Sequence, residues 1–277
     1  MKKKEVSEES YLKFGRFLEQ QCGIVLGENK QYLVRSRLSS LLYTFDIDAL
    51  DTLIEQVVTG RNKAMLQAVI DAMTTNETLW FRDAYPFEVL VNRILPEFSN
   101  LSRPLRIWSA ACSSGQEPYS IAMSVMEYQR QNPRAIKRGV EIMATDLSTT
   151  MLARCEEGIY DELSLARGLS LERRQRYFEH HEDGRMMVKA EVKKMVTFRS
   201  MNLLHTYAGL GKFDVVFCRN VLIYFAPAIK QKILQQIAGL LQANGVLFLG
   251  ASESISSASD FFNMVKCSPG LYYQRKT

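Results

Sequence analysis

The chain of 277 residues is predicted to fold as an all-α N-terminal domain followed by an α/β domain with a doubly wound parallel sheet. Apolar residues recur at helical spacing up to residue 73, which predicts the helical domain. Four short apolar runs follow, and they alternate with helical patterns as buried parallel strands do: Leu105–Trp108, Val140–Ala144, Phe213–Arg219 and Val246–Gly250. The small-residue loop Ser109–Gly115 comes directly after the first run, where doubly wound domains bind their ligands.

The composition is that of an ordinary globular protein, with 47% hydrophobic and 23% charged residues. The net charge of +5 is too small to indicate a nucleic-acid-binding protein, so no nucleic acid is expected as a partner. The five cysteines and three histidines show no ligand spacing, which predicts reduced thiols and no metal site. No signal peptide and no membrane insertion are expected, and the predicted localisation is cytoplasmic.

Helices of the N-terminal domain are predicted at about residues 8–22, 29–43, 50–57 and 64–73. Lys30 and Arg37 are seven residues apart, so they would share one face of the second helix. That basic face is either an ordinary solvated surface or a docking site for an acidic partner. The helix by itself does not decide between the two.

The segment Thr74–Arg82, with the sequence TTNETLWFR, joins the two predicted domains. Asn76 is a possible helix cap, which would make the segment a simple connector. Alternatively, this polar chain lies over the mouth of the α/β domain, where Asn76, Thr78 and Arg82 reach a ligand. The segment alone leaves both interpretations open.

The loop after the first strand indicates which ligand the site is built for. It lacks the Lys and Ser/Thr of a triphosphate-binding loop and the spaced glycines of a dinucleotide fingerprint. Glu117, at the start of the next helix, disfavours a phosphate and favours a cationic group or a hydroxyl. Asp146 ends the second strand, where such domains hydrogen-bond the hydroxyls of a ribose. Four strand ends thus converge on one crevice that suits S-adenosylmethionine: Ala110–Glu117, Asp146, Asn202-Leu203 and Arg219-Asn220.

The remaining elements are predicted from periodicity and turn signals. Helices are expected at about residues 87–95, 151–156, 163–178 and 229–241. Asp183-Gly184 marks a hairpin, and apolar residues from Met186 to Phe198 predict two or three short antiparallel strands in an inserted subdomain. A last strand, Leu271–Gln274, is expected to be antiparallel at the edge of the sheet.

Four segments, in this order, closely resemble the chemotaxis receptor methyltransferases, the CheR family: TTNETLWFR, WSAACSSGQEPYS, ATDLS and FCRNVLIYF. The resemblance covers nearly the whole chain. It implies a Rossmann-like methyltransferase domain with an inserted small antiparallel β subdomain, preceded by an all-α domain. It also implies methyl transfer from S-adenosylmethionine to the γ-carboxylates of glutamates on chemoreceptor cytoplasmic helices, for sensory adaptation.

With this resemblance the chain is divided into three parts. Residues 1–73 are the helical domain, and 74–92 are a linker that contributes to the cofactor site. Residues 93–277 are the methyltransferase domain, with the β subdomain inserted at about 177–199.

The resemblance also implies roles for individual residues. Arg82 and Tyr224 match the positions that the family places beside the transferable methyl, and they are the predicted catalytic residues. The predicted cofactor contacts are Asn76, Thr78, Arg82, Glu117, Asp146, Asn202, Leu203, Arg219 and Asn220. A glutamate acceptor is already ionised at neutral pH, so the reaction needs alignment of the acceptor and no strong base.

Lys30 and Arg37 correspond to the basic helix with which the family is thought to meet acidic receptor segments. Ser39 and Ser40 stand where some relatives look more basic. The hairpin at Asp183-Gly184 is short compared with members that bind a C-terminal receptor pentapeptide, which predicts an enzyme independent of such a tether.

Two alternatives stay open. The first is a methyltransferase that acts on nucleic acid or a small molecule. Base methyltransferases commonly carry an Asn/Asp-Pro-Pro-aromatic motif after the fourth strand, whereas this chain has Arg219-Asn220-Val221-Leu222 there. The second is a cofactor-binding scaffold that has lost catalysis, against which the presence of Arg82 and Tyr224 counts.

Overall fold

The computed structural model describes residues 3–60, 62–255 and 258–276, and its first five helices form a separate N-terminal domain. These helices are α1 (Glu8–Cys22), α2 (Gln31–Leu38), α3 (Leu41–Thr44), α4 (Leu50–Val58) and α5 (Lys63–Met73). Side chains such as Phe14, Leu18 and Val34 are fully buried between them. Ser7 caps α1, and its hydroxyl accepts the backbone N–H of Ser10 at 3.3 Å.

The prediction of a single helix over residues 29–43 is wrong, because a turn at Ser39 and Ser40 separates α2 from α3. The Ser39 hydroxyl donates to the carbonyl of Arg35 at 2.5 Å. Serine side chains compete in this way with the helical backbone bonds, so they often stand where a helix ends. The apolar periodicity continues through the turn, which is why it did not reveal the interruption.

The α/β domain contains ten strands and eight further helices among the described residues. The strands are β1 (Leu105–Ala110), β2 (Val140–Asp146), β3 (Ile159–Tyr160), β4 (Phe178–His180), β5 (Met186–Val188), β6 (Val196–Ser200), β7 (Phe213–Cys218), β8 (Leu241–Leu249), β9 (Phe262–Lys266) and β10 (Leu271–Arg275). The helices are α6 (Tyr85–Val89), α7 (Leu95–Glu97), α8 (Gln116–Gln131), α9 (Thr149–Glu157), α10 (Glu162–Ala166), α11 (Leu171–Tyr177), α12 (Ala190–Lys193) and α13 (Pro227–Leu240).

Seven strands form the main sheet in the order β6-β2-β1-β7-β8-β10-β9. The first five run parallel, and their residues Ile107, Val215 and Phe248 are fully buried because helices cover both faces. The strand order reverses between β1 and β7. The loops after these strands therefore leave in opposite directions and open a crevice at the carboxyl edge of the sheet. The predicted doubly wound architecture is confirmed.

A second, antiparallel sheet has the order β3-β5-β4. The predicted hairpin at Asp183-Gly184 is confirmed, since it joins β4 to β5. The placement of Val196 and Phe198 in this sheet is wrong, because both belong to β6, which pairs in parallel with β2. Alternating apolar residues predict a strand but do not specify the strand with which it pairs.

The helix predicted over residues 163–178 is divided into α10 and α11, with Gly168 between them. Gly168 has a φ of +96°, and a Cβ atom there would lie 2.1 Å from the carbonyl oxygen of Trp80. Only glycine fits this conformation and this close approach. The helical pattern is thus interrupted where the interdomain segment packs against the loop between α10 and α11.

Two further expectations are corrected at the ends of helices and sheets. The helix predicted over 87–95 extends from α6 through a π turn (Leu90–Ile94) into α7, so Pro96 lies in the first turn of α7 and does not end the helix. β10 is antiparallel as predicted, but β9 lies outside it at the sheet edge. Among the described residues, no helix is long and apolar enough to cross a membrane.

Candidate active site

A cleft of about 1040 Å³, part of it open to solvent, lies at the carboxyl edge of the main sheet. Its walls come from the end of α1, from the segment after α5, and from the loops that follow β1, β2, β6 and β7. It brings together all the predicted cofactor and catalytic residues: Asn76, Thr78, Arg82, Glu117, Asp146, Asn202, Leu203, Arg219, Asn220 and Tyr224. Lys30 and Arg37 do not line it.

The loop after β1 is shaped by backbone conformations that small residues tolerate. Ala111 and Ser113 have φ values of +60° and +51°, and Gly115 has +92°. A Cβ atom on Gly115 would lie 2.9 Å from the hydroxyl of Tyr160. The loop can therefore turn tightly under the cleft and direct the N–H of Ser113 towards the end of β2.

Asp146 is held at the end of β2 by two backbone donors. Its Oδ2 accepts the N–H of Ser113 at 2.7 Å, and its Oδ1 accepts the N–H of Ser148 at 2.9 Å. Burial raises the pKa of Asp146, and these N–H groups oppose the shift. Each carboxylate oxygen has a second lone pair, so Asp146 retains acceptors for hydroxyl groups in the cleft.

Arg219 and Glu117 form a buried charged pair at the centre of the cleft. The side chain of Arg219 is 1% exposed; its Nη1 lies 3.4 Å from Oε2 of Glu117, and its Nη2 pairs with Asp83. The hydroxyl of Ser109 donates to Oε1 of Glu117 at 2.8 Å. Burial raises the pKa of Glu117, and the positive charge of Arg219 opposes this. The cluster contains two carboxylates and one guanidinium.

Two buried polar atoms in this part of the cleft have no partner among the described residues: Nε of Arg219, a donor, and Oδ1 of Asn220, an acceptor. Buried polar groups without a partner are costly, so a ligand that pairs with these two atoms in the cleft would be favoured. The predicted cofactor, S-adenosylmethionine, carries a carboxylate and an ammonium group at its amino-acid end. The unpartnered donor and acceptor, together with Glu117, fit those groups.

Arg82 and Tyr224 have fewer contacts within the protein. Arg82 donates through Nη1 to the carbonyl of Glu77 at 3.2 Å. The half-buried Tyr224 has no hydrogen-bond partner for its hydroxyl in the part of the chain that the structure describes. Both side chains keep donors for a further group in the cleft.

The backbone that carries Arg82 is nevertheless fixed on both sides. The hydroxyl of Ser113 donates to the carbonyl of Asn76 at 2.9 Å, and the N–H of Phe81 donates to the hydroxyl of Ser120 at 3.1 Å. Next to Phe81, the N–H of Trp80 donates to the carbonyl of Arg167, between α10 and α11, at 3.0 Å. The segment therefore lies along the cleft and is not a free connector.

The N-terminal domain supplies one wall, which the sequence did not indicate. Cys22 and Ile24 line the cleft. Between them, Gly23 lies so close to Phe225 that a Cβ atom would be 2.4 Å from the ring. The side chain of Asn202 donates to the carbonyl of Gln21 at 2.6 Å, which joins the two domains beside the cleft. In the sequence, Gly23 signals only the end of the first helix, because glycine often follows the last helical residue.

Lys30 and Arg37 differ in what they contact. Lys30 precedes the first residue of α2, and its Nζ lies 5.6 Å from the ring centroid of the exposed Tyr32. Arg37 donates to the carbonyls of Met73 and Thr74 and to a threonine hydroxyl of the interdomain segment. Arg37 thus holds the beginning of that segment, and its guanidinium is engaged within the protein.

Asp83 was also missed as a functional candidate. It directly follows Arg82 and has a φ of +65°, which directs its carboxylate to Arg219, 136 residues away in the sequence. No local pattern links residues that far apart. Among the described residues, no group of three or more His, Cys, Asp or Glu side chains is placed to hold a metal ion.

Comparison with known proteins covers nearly the whole chain. The family model "CheR methyltransferase, all-alpha domain" matches residues 9–74, and "CheR methyltransferase, SAM binding domain" matches residues 76–271. The chain is 57% identical over 271 residues to "Chemotaxis protein methyltransferase" of Vibrio anguillarum, covering 98% of both chains. It is 56% identical over 271 residues to "Chemotaxis protein methyltransferase 1" of Vibrio cholerae, again covering 98% of both. It is 55% identical over 265 residues to "Chemotaxis protein methyltransferase Cher2" of Pseudomonas putida, covering 95% of this chain and 96% of that protein.

Proposed function

Since the chain belongs to the CheR family of chemotaxis methyltransferases and contains its S-adenosylmethionine-binding domain, we propose that it methylates the γ-carboxylates of glutamates on chemoreceptor cytoplasmic helices. One observation carries this proposal. The buried Arg219–Glu117 cluster, with its unpartnered donor, shares a cleft with two side chains that keep free donors, Arg82 and Tyr224. This arrangement provides for a cofactor with a charged amino-acid end and for an anionic acceptor.

The proposed cofactor contacts follow from charge and hydrogen-bonding capacity. Asp146 accepts hydrogen bonds from the ribose hydroxyls, Glu117 binds the ammonium group, and Nε of Arg219 donates to the carboxylate. Leu203 and Ile24 offer apolar surface for the adenine. Arg82, also a predicted contact, is assigned to the acceptor below, and the remaining predicted contacts are Asn76, Thr78, Asn202 and Asn220. When bound, S-adenosylmethionine supplies a methyl group that its sulfonium sulfur makes electrophilic.

The proposed roles of Arg82 and Tyr224 are to bind and orient the acceptor. A glutamate side chain has a pKa of about 4.3 and is ionised at neutral pH, so no protein group has to remove a proton. What the site must do is hold one carboxylate oxygen in line with the methyl carbon and sulfur. Such alignment of two reactants can contribute ~7 kcal/mol or more to catalysis.

We also propose how the parts of the chain divide this work. Residues 1–73 present Lys30 to an acidic receptor helix. Arg37, in the same domain, holds the start of the linker at 74–92, which lies against the cofactor. Residues 93–277 carry the cofactor site and the insert. The strands β4 and β5 have only three residues each, so we propose that no receptor tail is needed as a tether. We place the enzyme in the cytoplasm, where receptor signalling helices lie.

The proposal is tested by transfer of label from tritiated S-adenosylmethionine to receptor cytoplasmic fragments, with and without their C-terminal tails. Mild base should release the label as volatile methanol, because carboxyl esters hydrolyse under these conditions, and tail removal should not lower the rate. Base-stable label would place the methyl on nitrogen or carbon and contradict the glutamate assignment. Cofactor binding without any transfer would support the scaffold alternative.

A further inference from the structure

Glu253 lies just after β8 and is not one of the predicted site residues. Its carboxylate accepts three backbone hydrogen bonds. Its Oε2 accepts the N–H of Asn220 at 2.7 Å and that of Gly250 at 2.8 Å. Its Oε1 accepts the N–H of Ile223 at 3.3 Å. A half-buried carboxylate with this many N–H donors is usually fixed in one position, because bonds to a charged acceptor are stronger than those between neutral groups.

The bonds join two neighbouring loops. β7 and β8 pair in parallel and end side by side, with Cys218 opposite Leu249, so the loops that follow them meet. Asn220 lies near the start of the loop after β7, and Ile223 directly precedes Tyr224 in the same loop. Glu253 therefore holds the loop at both ends of the stretch that runs from a proposed cofactor contact to a proposed catalytic residue.

The local geometry shows that the loops are adapted to this contact. Asn220 has a φ of +57°, a conformation in which asparagine is tolerated better than most residues. A Cβ atom on Gly250 would lie 2.8 Å from Oε2 of Glu253 and 2.9 Å from the backbone nitrogen of Asn220. Glycine at 250 thus leaves room for the carboxylate to approach both amides.

We propose that Glu253 is a positioning residue for methyl transfer, which holds Asn220 against the cofactor and Tyr224 against the acceptor. This rests on the roles proposed above for those two residues. A carboxylate is needed because three N–H groups point at its two oxygens. A glutamine would offer one acceptor oxygen and would turn its own N–H donors towards a backbone N–H.

The test compares Glu253→Gln with Asp260→Asn, which also removes one negative charge but from an exposed residue. Methyl transfer from tritiated S-adenosylmethionine to receptor fragments gives kcat, and titration with S-adenosylhomocysteine counts folded sites and gives the cofactor Kd. We expect kcat per folded site to fall roughly tenfold in Glu253→Gln, the size of losing one hydrogen bond to a charged group. Asp260→Asn should match the wild type.

A double variant separates positioning from general stability. In a Tyr224→Phe background, Glu253→Gln should lower kcat by less than about threefold, because the hydroxyl that the loop positions is already absent. A lower Tm with unchanged kcat per folded site would overturn the proposal. An equal fold-change in the two backgrounds would overturn it as well.

The inference and the proposed function fail in different ways. If Tyr224→Phe and Arg82→Ala both keep full turnover, the catalytic assignment is removed, and the role of Glu253 with it. If Tyr224→Phe is impaired and Glu253→Gln is not, only the role of Glu253 is removed.

Discussion

The two sides of the cleft are built differently. The cofactor side, consisting of Asp146, Glu117 and Arg219, is held by several contacts within the protein: each carboxylate is bound by two donors, and Arg219 pairs with two acidic residues. The acceptor side, consisting of Arg82 and Tyr224, has one carbonyl contact at 3.2 Å on the arginine and none on the tyrosine hydroxyl among the described residues.

This difference fits the two tasks of the proposed reaction. A cofactor with fixed charges is bound best by groups that are already oriented, since no ordering has to occur on binding. An acceptor carboxylate on a separate protein needs donors that are not yet occupied. The comparison therefore predicts that substitutions on the cofactor side change affinity and that substitutions on the acceptor side change turnover.

The largest effect is expected for Arg82→Ala. Loss of a charged donor at the reacting carboxylate should lower kcat by roughly 10²-fold, a typical cost for a group that acts at the reaction centre. The Kd for S-adenosylhomocysteine should change by less than about threefold, since the cofactor side stays intact. Arg134→Ala is the matched control, because Arg134 is exposed and lies outside the cleft. If Arg82→Ala keeps full turnover, the assignment of Arg82 to the acceptor side is contradicted.

Asp146→Asn should weaken cofactor binding by roughly 10- to 100-fold, because hydrogen bonds to a charged group contribute ~1.5–3 kcal/mol. Burial raises the pKa of Asp146, so affinity in the wild type should decline as the pH falls through that raised value, and in the variant it should not. Isothermal titration with S-adenosylhomocysteine measures both effects. Asp48→Asn, at an exposed position, serves as the control. A Kd equal to that of the wild type would contradict the ribose assignment.

Arg37→Gln tests whether the N-terminal domain acts through Arg37 by holding the linker or by contacting the receptor. Two hydrogen bonds to the linker and one to the end of α5 would be lost or weakened, so the cofactor Kd should rise by roughly three- to tenfold. Arg35→Gln, on the same helix but exposed, should leave this Kd unchanged. If Arg37 acts mainly by touching the receptor, the KM for receptor fragments will rise and the cofactor Kd will not.

The smallest effect is expected for the stability of Glu117→Gln. The raised pKa of Glu117 means that its contribution to stability is present below its unfolded pKa of about 4.5 and is lost as the pH rises through the raised value. The Tm of the variant relative to the wild type should therefore increase by a few degrees between about pH 4.5 and pH 8. Thermal melts of both proteins over this range measure it. A relative Tm that falls with rising pH would mean that the pairing with Arg219 outweighs burial.

The sequence predicts the cofactor side better than the acceptor side, for a physical reason. Asp146 ends a strongly patterned strand and Glu117 lies at the start of the helix that follows another. Parallel strands bring their carboxyl ends to one edge of the sheet. Arg82 and Tyr224 have no such pattern around them. The sequence pattern offered Arg82 only under one of two open interpretations of its segment, and only the resemblance to a known family singled out Tyr224. Periodicity identifies an element, but it does not say what a side chain outside the element touches.

Contacts between distant segments were not predictable. Asp83 meets Arg219, Arg37 meets the linker, and β6 joins the main sheet, and each of these depends on how complete elements pack. The local sequence around a charged residue beside a turn does not indicate whether that residue will face solvent or pair with a side chain more than a hundred positions away. The pairs made by Asp83 and by Arg37 also hold the linker beside the cleft.

The most direct test of the two-sided cleft is a single-turnover measurement of methyl transfer to a receptor fragment at saturating S-adenosylmethionine, with methanol release as the readout. Asp146→Asn should recover a rate within about threefold of the wild type, because excess cofactor compensates for weaker binding. Arg82→Ala should stay roughly 10²-fold slower, because saturation cannot replace a donor to the acceptor. The reverse pattern, with Arg82→Ala rescued by cofactor and Asp146→Asn not, would contradict the division of the cleft into a cofactor side and an acceptor side.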